Sequence, residues 1–254
     1  MGLLELIREH KQQEVDRRKK IAPLERFMKH LELASPPSLQ ELFPKESINI
    51  IGEIKRKSPS KGVLVENYNP SELARVYEPY CKAISVLTDE SYFGGNLLDI
   101  GKVKQATNLP VLRKDFIFDE YQIFESRKYG ADLVLLIARL LSQQQLEEYC
   151  ISAETYGMHA LVEVRTEKEV EQALASNAKL LGINHRDLDT QRIDMQRAKY
   201  LSKYISKDHW IIAESGISTK QDIQDLQPYV QGFLIGTALL TNRYPERKLQ
   251  ELLA

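Results

Sequence analysis

The chain has 254 residues, 43% of them apolar, enough for one large domain with its own core. Lys plus Arg number 35 against 36 for Asp plus Glu, so no overall charge favours nucleic acid or an anionic membrane, and any preference for anions must be local. Cys81 and Cys150 lie far apart without metal-like spacing, the N-terminus turns charged at once instead of forming a signal peptide, and no apolar run reaches bilayer length. A cytoplasmic protein with two core-packing thiols is expected.

Leu3, Leu6 and Ile7, then Leu24, Phe27 and Leu31, recur at helical spacing and predict helix over residues 3–34. Glu14-Val15-Asp16-Arg17-Arg18-Lys19-Lys20 reads as a solvated helix face, its cations near the C-terminus where the helix dipole favours them. Ala34-Ser35-Pro36-Pro37-Ser38 ends the segment, and a short helix over 39–43 leads to Pro44. From there a unit repeats. A strand over 48–55 is followed by a helix that Asn69 caps and Pro70 opens. Further strands are predicted over 83–88, 110–116, 131–138, 159–164, 179–184, 210–214 and 231–235. Helices over 97–106, 120–129, 142–156, 167–175, 195–205, 220–226 and 246–253 follow them in turn. Near-continuous Val/Ile/Leu strands alternating with helices mean a parallel sheet covered on its outer face. Eight such units fit the α/β class and a closed (β/α)8 TIM barrel. An open doubly wound sheet fits less well, because no Gly-x-Gly-x-x-Gly follows an early strand. The predicted organisation is an N-terminal helical extension, residues 1–46, packed on one end of a catalytic barrel, residues 47–254, in a single domain overall.

The first strand carries the strongest chemical signal. Ile51, Glu53 and Lys55 share one face, with Gly52 and Ile54 on the other. A carboxylate and an ammonium on one face of an apolar strand point to a site or an ion pair, since isolated buried charges are costly. Arg56-Lys57-Ser58-Pro59-Ser60-Lys61-Gly62 follows as a loop of cations and hydroxyls suited to phosphate, with Pro59 barring further ladder pairing. Sites in this fold lie at the strand C-termini. Parity brings Glu53, Lys55, Lys114, Glu163, Asn184, Arg186 and Glu214 to one mouth, with Gly182 deeper in strand six opening space for a ligand. The turns Ser215-Gly216-Ile217-Ser218 and Gly236-Thr237-Ala238 are expected to hold phosphate through backbone N–H groups and the Thr237 hydroxyl, helped by Ser58 and Lys55. His185 falls on the opposite parity to Asn184 and reads as packing or as a hydrogen bond behind the site. His159 opens strand five at the wrong end for chemistry, and His10, His30 and His209 read as surface. No His, Cys and carboxylate set has metal spacing, so no metal is expected.

Taken in order, Glu53-Ile54-Lys55-Arg56-Lys57-Ser58-Pro59-Ser60-Lys61-Gly62, Leu112-Arg113-Lys114-Asp115-Phe116-Ile117, Leu161-Val162-Glu163-Val164, Gly182-Ile183-Asn184, Arg186-Asp187-Leu188 and Ala213-Glu214-Ser215-Gly216-Ile217 form a long and specific set. With it the chain resembles the indole-3-glycerol-phosphate synthases over essentially its whole length, N-terminal helices included. It departs from them at His185, where a second Asn is more usual, and at Thr237 and Asn96, where Ser is frequent. The resemblance implies that 1-(2-carboxyphenylamino)-1-deoxyribulose 5-phosphate is cyclised with loss of carbon dioxide and water, without a cofactor, in tryptophan biosynthesis. It implies Lys114 as the acid at the ketone oxygen, Glu163 as the base, Glu53 as a second carboxylate near the nitrogen, and Lys55 as a second acid or a holding group. Asn184 and Arg186 would orient the carboxylate and hydroxyls, and Glu214 would bind a hydroxyl or fix a lysine. Pro59, Phe93, Phe116, Leu135 and Leu234 would wall the aromatic ring. The partner implied is a phosphorylated small molecule, with neither nucleic acid nor membrane, and a monomer is expected. Competing readings of the same residues are another phosphosugar barrel such as a ketose-forming isomerase, an aldolase using Lys55 or Lys114 as a Schiff-base nucleophile, and a scaffold that only binds phosphate.

Overall fold

The computed structural model describes residues 3–25 and 34–254. Its strands are β1 (Asn49–Ile54), β2 (Ala83–Leu87), β3 (Val111–Lys114), β4 (Leu133–Ile137), β5 (His159–Val164), β6 (Leu180–Asn184), β7 (Trp210–Glu214) and β8 (Gly232–Ile235). All pair in parallel, and β1 meets both β2 and β8, which closes the barrel. Most of these strand residues are buried on both faces, as continuous apolar runs require when helices cover the outside. The helices are started by side-chain caps. Asn69, Asp119, Ser142, Thr166 and Thr219 each accept a backbone N–H of the first turn, and each such cap contributes about 1 kcal/mol. The helix predicted over 195–205 is shorter, Arg197–Leu201 followed by a 3-10 turn, because the loop after β6 first folds back through an Arg186–Ile193 bridge. The segment after β1 also differs. Lys57–Ser58 and Gly62–Val63 pair as a small antiparallel ribbon, and Pro59 is accommodated in its turn, where no ladder hydrogen bond is asked of it.

The extension begins with α1, Leu3–Ile21, which ends before Pro23 and not at residue 34. Phe27, His30 and Leu31 lie outside the described residues. The extension reaches both ends of the barrel. At the N-terminal end Phe43 is buried, the Trp210 indole donates to its carbonyl at 2.9 Å, and the Asn49 amide donates to Gln231 and Pro44 carbonyls. His159, on the same end, contacts the Pro37 carbonyl at 2.7 Å.

At the C-terminal end α1 is fastened by charge. Of the stretch Glu14–Lys20, Asp16, Arg17 and Lys20 are exposed as a solvated face requires, but Glu14 and Arg18 are not. Lys11 is 1% exposed, and its Nζ lies 2.9 Å from carboxylate oxygens of Glu14, Asp89 and Asp115. Arg18 pairs with Glu14 and with Glu125, and Arg113 joins Asp115 to Glu125 at 3.0 Å each. Asp89 in turn caps the short helix Glu90–Phe93 by accepting from Tyr92 and Phe93 N–H. Helical periodicity sees only the side chains on one helix, whereas these charges face partners on the barrel. Burial alone would lower the Lys11 ammonium, but Asp115, Asp89 and Glu14 outweigh it and hold it above its ordinary value. Burial alone would raise the Asp115 carboxyl, but Lys11 and Arg113 hold it far below the usual range.

Lys11→Met takes a cation from three buried carboxylates, leaving Asp89 with no other ion-pair partner among the described residues, and is expected to cost about 3–5 kcal/mol, read as a lower urea midpoint. Asp115, depressed in the folded state, contributes stability above about pH 4 that is lost on acidification, whereas the raised Lys11 contributes up to about pH 10 and loses its effect above that. Stability of the parent is therefore expected to fall on the acid side of about pH 4, and the Met variant to show a shallower fall.

Candidate active site

Alternate side chains of each strand point into the barrel, and the registers bring those at the mouth level. Leu87 stands beside Lys114, Ile137 beside Glu163, and Asn184 beside Glu214. With Glu53 of β1 and Gly236 after β8 they border a cavity of about 530 Å³. Of the residues that the sequence assigns to the mouth and the phosphate turns, all but Gly182 border it. Glu53, Lys55, Lys114, Glu163, Asn184 and Glu214 lie around its floor and side, and Ser58, Ser215, Gly216, Gly236 and Thr237 border it from the loops. Pro59, Phe93, Phe116, Leu135, Arg186 and Leu234 complete the expected set, with the Phe93 and Phe116 rings 6.1 Å apart.

Lys114 is the junction of the charged groups. Its Nζ is 2.7 Å from Glu214 Oε2 and 3.6 Å from Glu163 Oε2. Lys55, just past the end of β1, pairs with Glu53 of that strand, so its charge is already engaged. Burial would lower the Lys114 ammonium, but Glu214, Glu163 and Glu53 hold it above its ordinary value. Burial would raise the Glu53 carboxyl, but Lys55 and Lys114 hold it below. Glu214 goes the other way. Burial, helped by repulsion from Glu163 and opposed by Lys114, pushes it up to about 7. Two carboxylates on one lysine cannot both be fully satisfied. Asn184 is also partly committed: its Oδ1 accepts the Arg186 N–H at 2.9 Å, which leaves its NH2 for a ligand. Arg186 donates one N–H to the Gln191 carbonyl at 3.2 Å, and the rest of its fork remains.

Two glycines at the mouth have a function that parity alone does not give. A Cβ on Gly182 would lie 2.1 Å from Glu214 Oε1. The space inside β6 is therefore filled by the Glu214 carboxylate and is not open to a ligand, contrary to the expectation for Gly182. A Cβ on Gly236 would lie 2.2 Å from Glu53 Oε1, so that glycine likewise makes room for a carboxylate. Sequence reasoning passed over Leu87 and Ile137, which the same parity would have found, and Ile7, Leu188, Ile193 and Ile217, which line the cavity from α1 and the loops. Ile7 has no signal in the sequence, because only the docking of α1 brings it there. No group of three or more His, Cys or carboxylate side chains suited to a metal occurs among the described residues.

A mouth of this kind can deliver and remove protons at separate points of one bound molecule, which makes the chain a (β/α)8-barrel enzyme of the acid–base class. The family model for indole-3-glycerol phosphate synthase matches residues 4–252, and the chain belongs to that family. It is 43% identical to the indole-3-glycerol phosphate synthase of Aquifex aeolicus (strain VF5), over 100% of this chain and 99% of the relative. Against the enzyme of that name from Desulforamulus reducens the identity is 41%, over 98% and 96%. Among solved structures, a 3-hexulose-6-phosphate synthase shares the fold with a TM-score of 0.63 at 18% identity, over 81% of this chain and 98% of that one.

Gly182→Ala is expected to push the Glu214 carboxylate about 1 Å off its place beside Lys114, a misplacement that costs on the order of 10²-fold in rate. A crystal structure of the variant with the 2.7 Å Lys114–Glu214 contact unchanged would refute this.

Proposed function

We propose that the chain converts 1-(2-carboxyphenylamino)-1-deoxyribulose 5-phosphate to indole-3-glycerol phosphate, carbon dioxide and water, as the reaction of its family. The observation that carries this reading is the single Lys114 ammonium held between Glu214 and Glu163 in the cavity that also contains the Lys55–Glu53 pair.

The chemistry asks for these groups. A ketone must become electrophilic, and Lys114, kept fully protonated by its carboxylates, gives its oxygen a proton as the ring carbon attacks. Attack breaks the aromaticity of the ring and leaves iminium character on the nitrogen, which the ionised Glu53 stabilises. Cleavage of the carboxylate carbon–carbon bond returns the electron pair to the ring as carbon dioxide leaves, so the substrate is its own electron sink. The hydroxyl then departs as water with a second proton, from Lys114 or Lys55, while Glu163 takes the one proton shed as the indole forms. Two protons are given and one is taken back, which matches the uptake of one proton when a carboxylate leaves as carbon dioxide. Arg186 and the Asn184 amide meet the substrate carboxylate and hydroxyls, and Phe93, Phe116, Leu135, Leu234 and Pro59 enclose its ring. The phosphate lies against the turns of Ser215, Gly216, Gly236 and Thr237, with Ser58 across from them. Every group named comes from this chain, so the proposed chemistry requires no second subunit. No helix among the described residues is long and apolar enough to cross a membrane.

Incubation with the carboxyphenylamino ribulose phosphate is expected to give indole fluorescence and carbon dioxide in equal amounts, and release of neither overturns the reading. Lys114→Ala is expected to lose on the order of 10²-fold or more in kcat, and turnover within a few-fold of the parent removes Lys114 from its role. The kcat/KM profile is expected to decline as pH falls through about 7, where Glu214 takes up a proton and loosens its hold on Lys114. A profile level from about pH 8 to about pH 5 contradicts that part for Glu214.

A further inference from the structure

His185 leaves β6 one residue after Asn184, on the other side of the strand, and is fully buried. Its Nδ1 lies 2.9 Å from the Ser215 carbonyl oxygen. A carbonyl only accepts, so the proton is on Nδ1. The histidine is fixed from its own main chain as well. Its N–H donates to the Glu214 carbonyl at 2.9 Å, and Arg197 donates to its carbonyl at 2.8 Å.

The peptide that His185 holds is an unusual one. Ser215 has φ +67° and Gly216 φ +84°, both left-handed. A serine in that region is strained and persists only where neighbours over-determine it. On the far side, Met195 Sδ and Ile193 Cγ2 would lie 2.6 and 2.7 Å from a Cβ on Gly216, so the loop after β6 closes over the turn. The peptide joining Ser215 to Gly216 is trans, and in a trans peptide the C=O and the N–H point in opposite directions. Fixing the Ser215 carbonyl towards His185 therefore turns the Gly216 N–H away from it. That N–H makes no hydrogen bond to the protein among the described residues, and Gly216 borders the cavity.

We propose that His185 is a positioning residue for anion binding: by holding the Ser215 carbonyl it aims the Gly216 N–H at a phosphate group in the cavity. The inference rests on the reading of this turn as part of the phosphate site. Burial lowers the imidazole below its ordinary value, the Ser215 bond opposes, Arg197 lowers it further, and Asp194 and Asp222 raise it, with the net below ordinary. The ring is thus a neutral donor at neutral pH, and it lends the turn no charge.

Three variants test this. In His185→Asn the amide nitrogen falls near the place of Nδ1, in His185→Gln it reaches one atom further, near Nε2, and His185→Leu has no donor. Inorganic phosphate binding is followed by calorimetry, and KM and kcat are measured with the carboxyphenylamino ribulose phosphate. The Asn variant is expected to stay within about 3-fold of the parent in both phosphate affinity and KM. The Gln and Leu variants are expected to lose about tenfold in both, the scale of one hydrogen bond, with kcat within about 3-fold. Equal phosphate affinity and KM in the Asn, Gln and Leu variants overturns the proposal, as does a loss confined to kcat. If the Leu variant does not fold, the Asn–Gln contrast decides alone, and equality there overturns it. A parent that binds phosphate but leaves the substrate unchanged defeats the proposed reaction, while the phosphate measurement still decides the role of His185. A parent that binds no inorganic phosphate defeats both the turn as a phosphate site and His185 as its positioner.

Discussion

The buried Lys114 ammonium is the constraint around which the rest is arranged. Removing an isolated ion from water costs far more than a domain's whole stability, so a lysine at the mouth of a barrel needs carboxylates of its own. Glu214 and Glu163 supply them from strands about 100 and 50 residues away in sequence, as parallel pairing in a closed barrel allows. The carboxylates then need space, and a strand side chain beside them would take it. Gly182 and Gly236 stand at those points, opposite Glu214 and Glu53. Glycine weakens a strand interior, and here the loss is offset by a charge pair that no larger residue would admit.

β3 carries two such arrangements back to back. Its period of two sends Lys114 inward to Glu214 and Glu163, and sends Arg113 and Asp115 outward to Glu125 and to Lys11 of α1. The C-terminal end of β3 is therefore held from both faces by ions, and the helix that precedes the barrel braces the residue next to Lys114. The same Lys11 holds Asp89, which caps the turn bearing Phe93 of the cavity wall. Glu214, raised to about 7, shows the cost of the inner arrangement: burial and a like charge both work against its ionised form. The outer cluster has four buried carboxylates and three cations, each close to an opposite charge. Stability sits on the outside of β3 and chemistry on the inside, which is the division expected where activity requires strained groups.

The barrel and the membership of its mouth were legible because both follow from short-range rules. Runs of Val, Ile and Leu mark β2, β4 and β6, caps such as Asn69 and Ser142 mark helix starts, and alternation says which side of a strand a residue faces. Alternation is silent on what fills the space in front of that side. Gly182 was assigned to an open space for this reason, although Glu214 of the next strand fills it. The charged stretch of α1 misled for a related reason. An amphipathic reading sends charge to water, and the carboxylates that bury Lys11 and Arg18 are contributed by Asp89, Asp115 and Glu125, roughly 70 to 110 positions away. The docking of α1 that brings Ile7 to the cavity is likewise a tertiary fact.

The balance of charge at the mouth decides how a phosphate must be held. Glu53, Asp115, Glu163 and Glu214 share the cavity lining with Lys55, Lys61, Lys114 and Arg186, and the pairs Lys55–Glu53 and Lys114–Glu214 are already closed. Four against four leaves little net attraction for a dianion, and a phosphate drawn onto Lys114 would compete with the acid–base work there. A substrate with a carboxylate and a phosphate needs its two anionic ends kept apart. Backbone N–H groups and hydroxyls do this where further cations would not, since they stabilise an anion by oriented dipoles without shifting the titration of the lysines nearby. Such dipoles act only if the backbone is rigid. The left-handed pair Ser215–Gly216, buttressed by Ile193 and Met195 and bonded to His185, is irregular backbone held from both sides, and it lies directly after the strand that ends in Glu214.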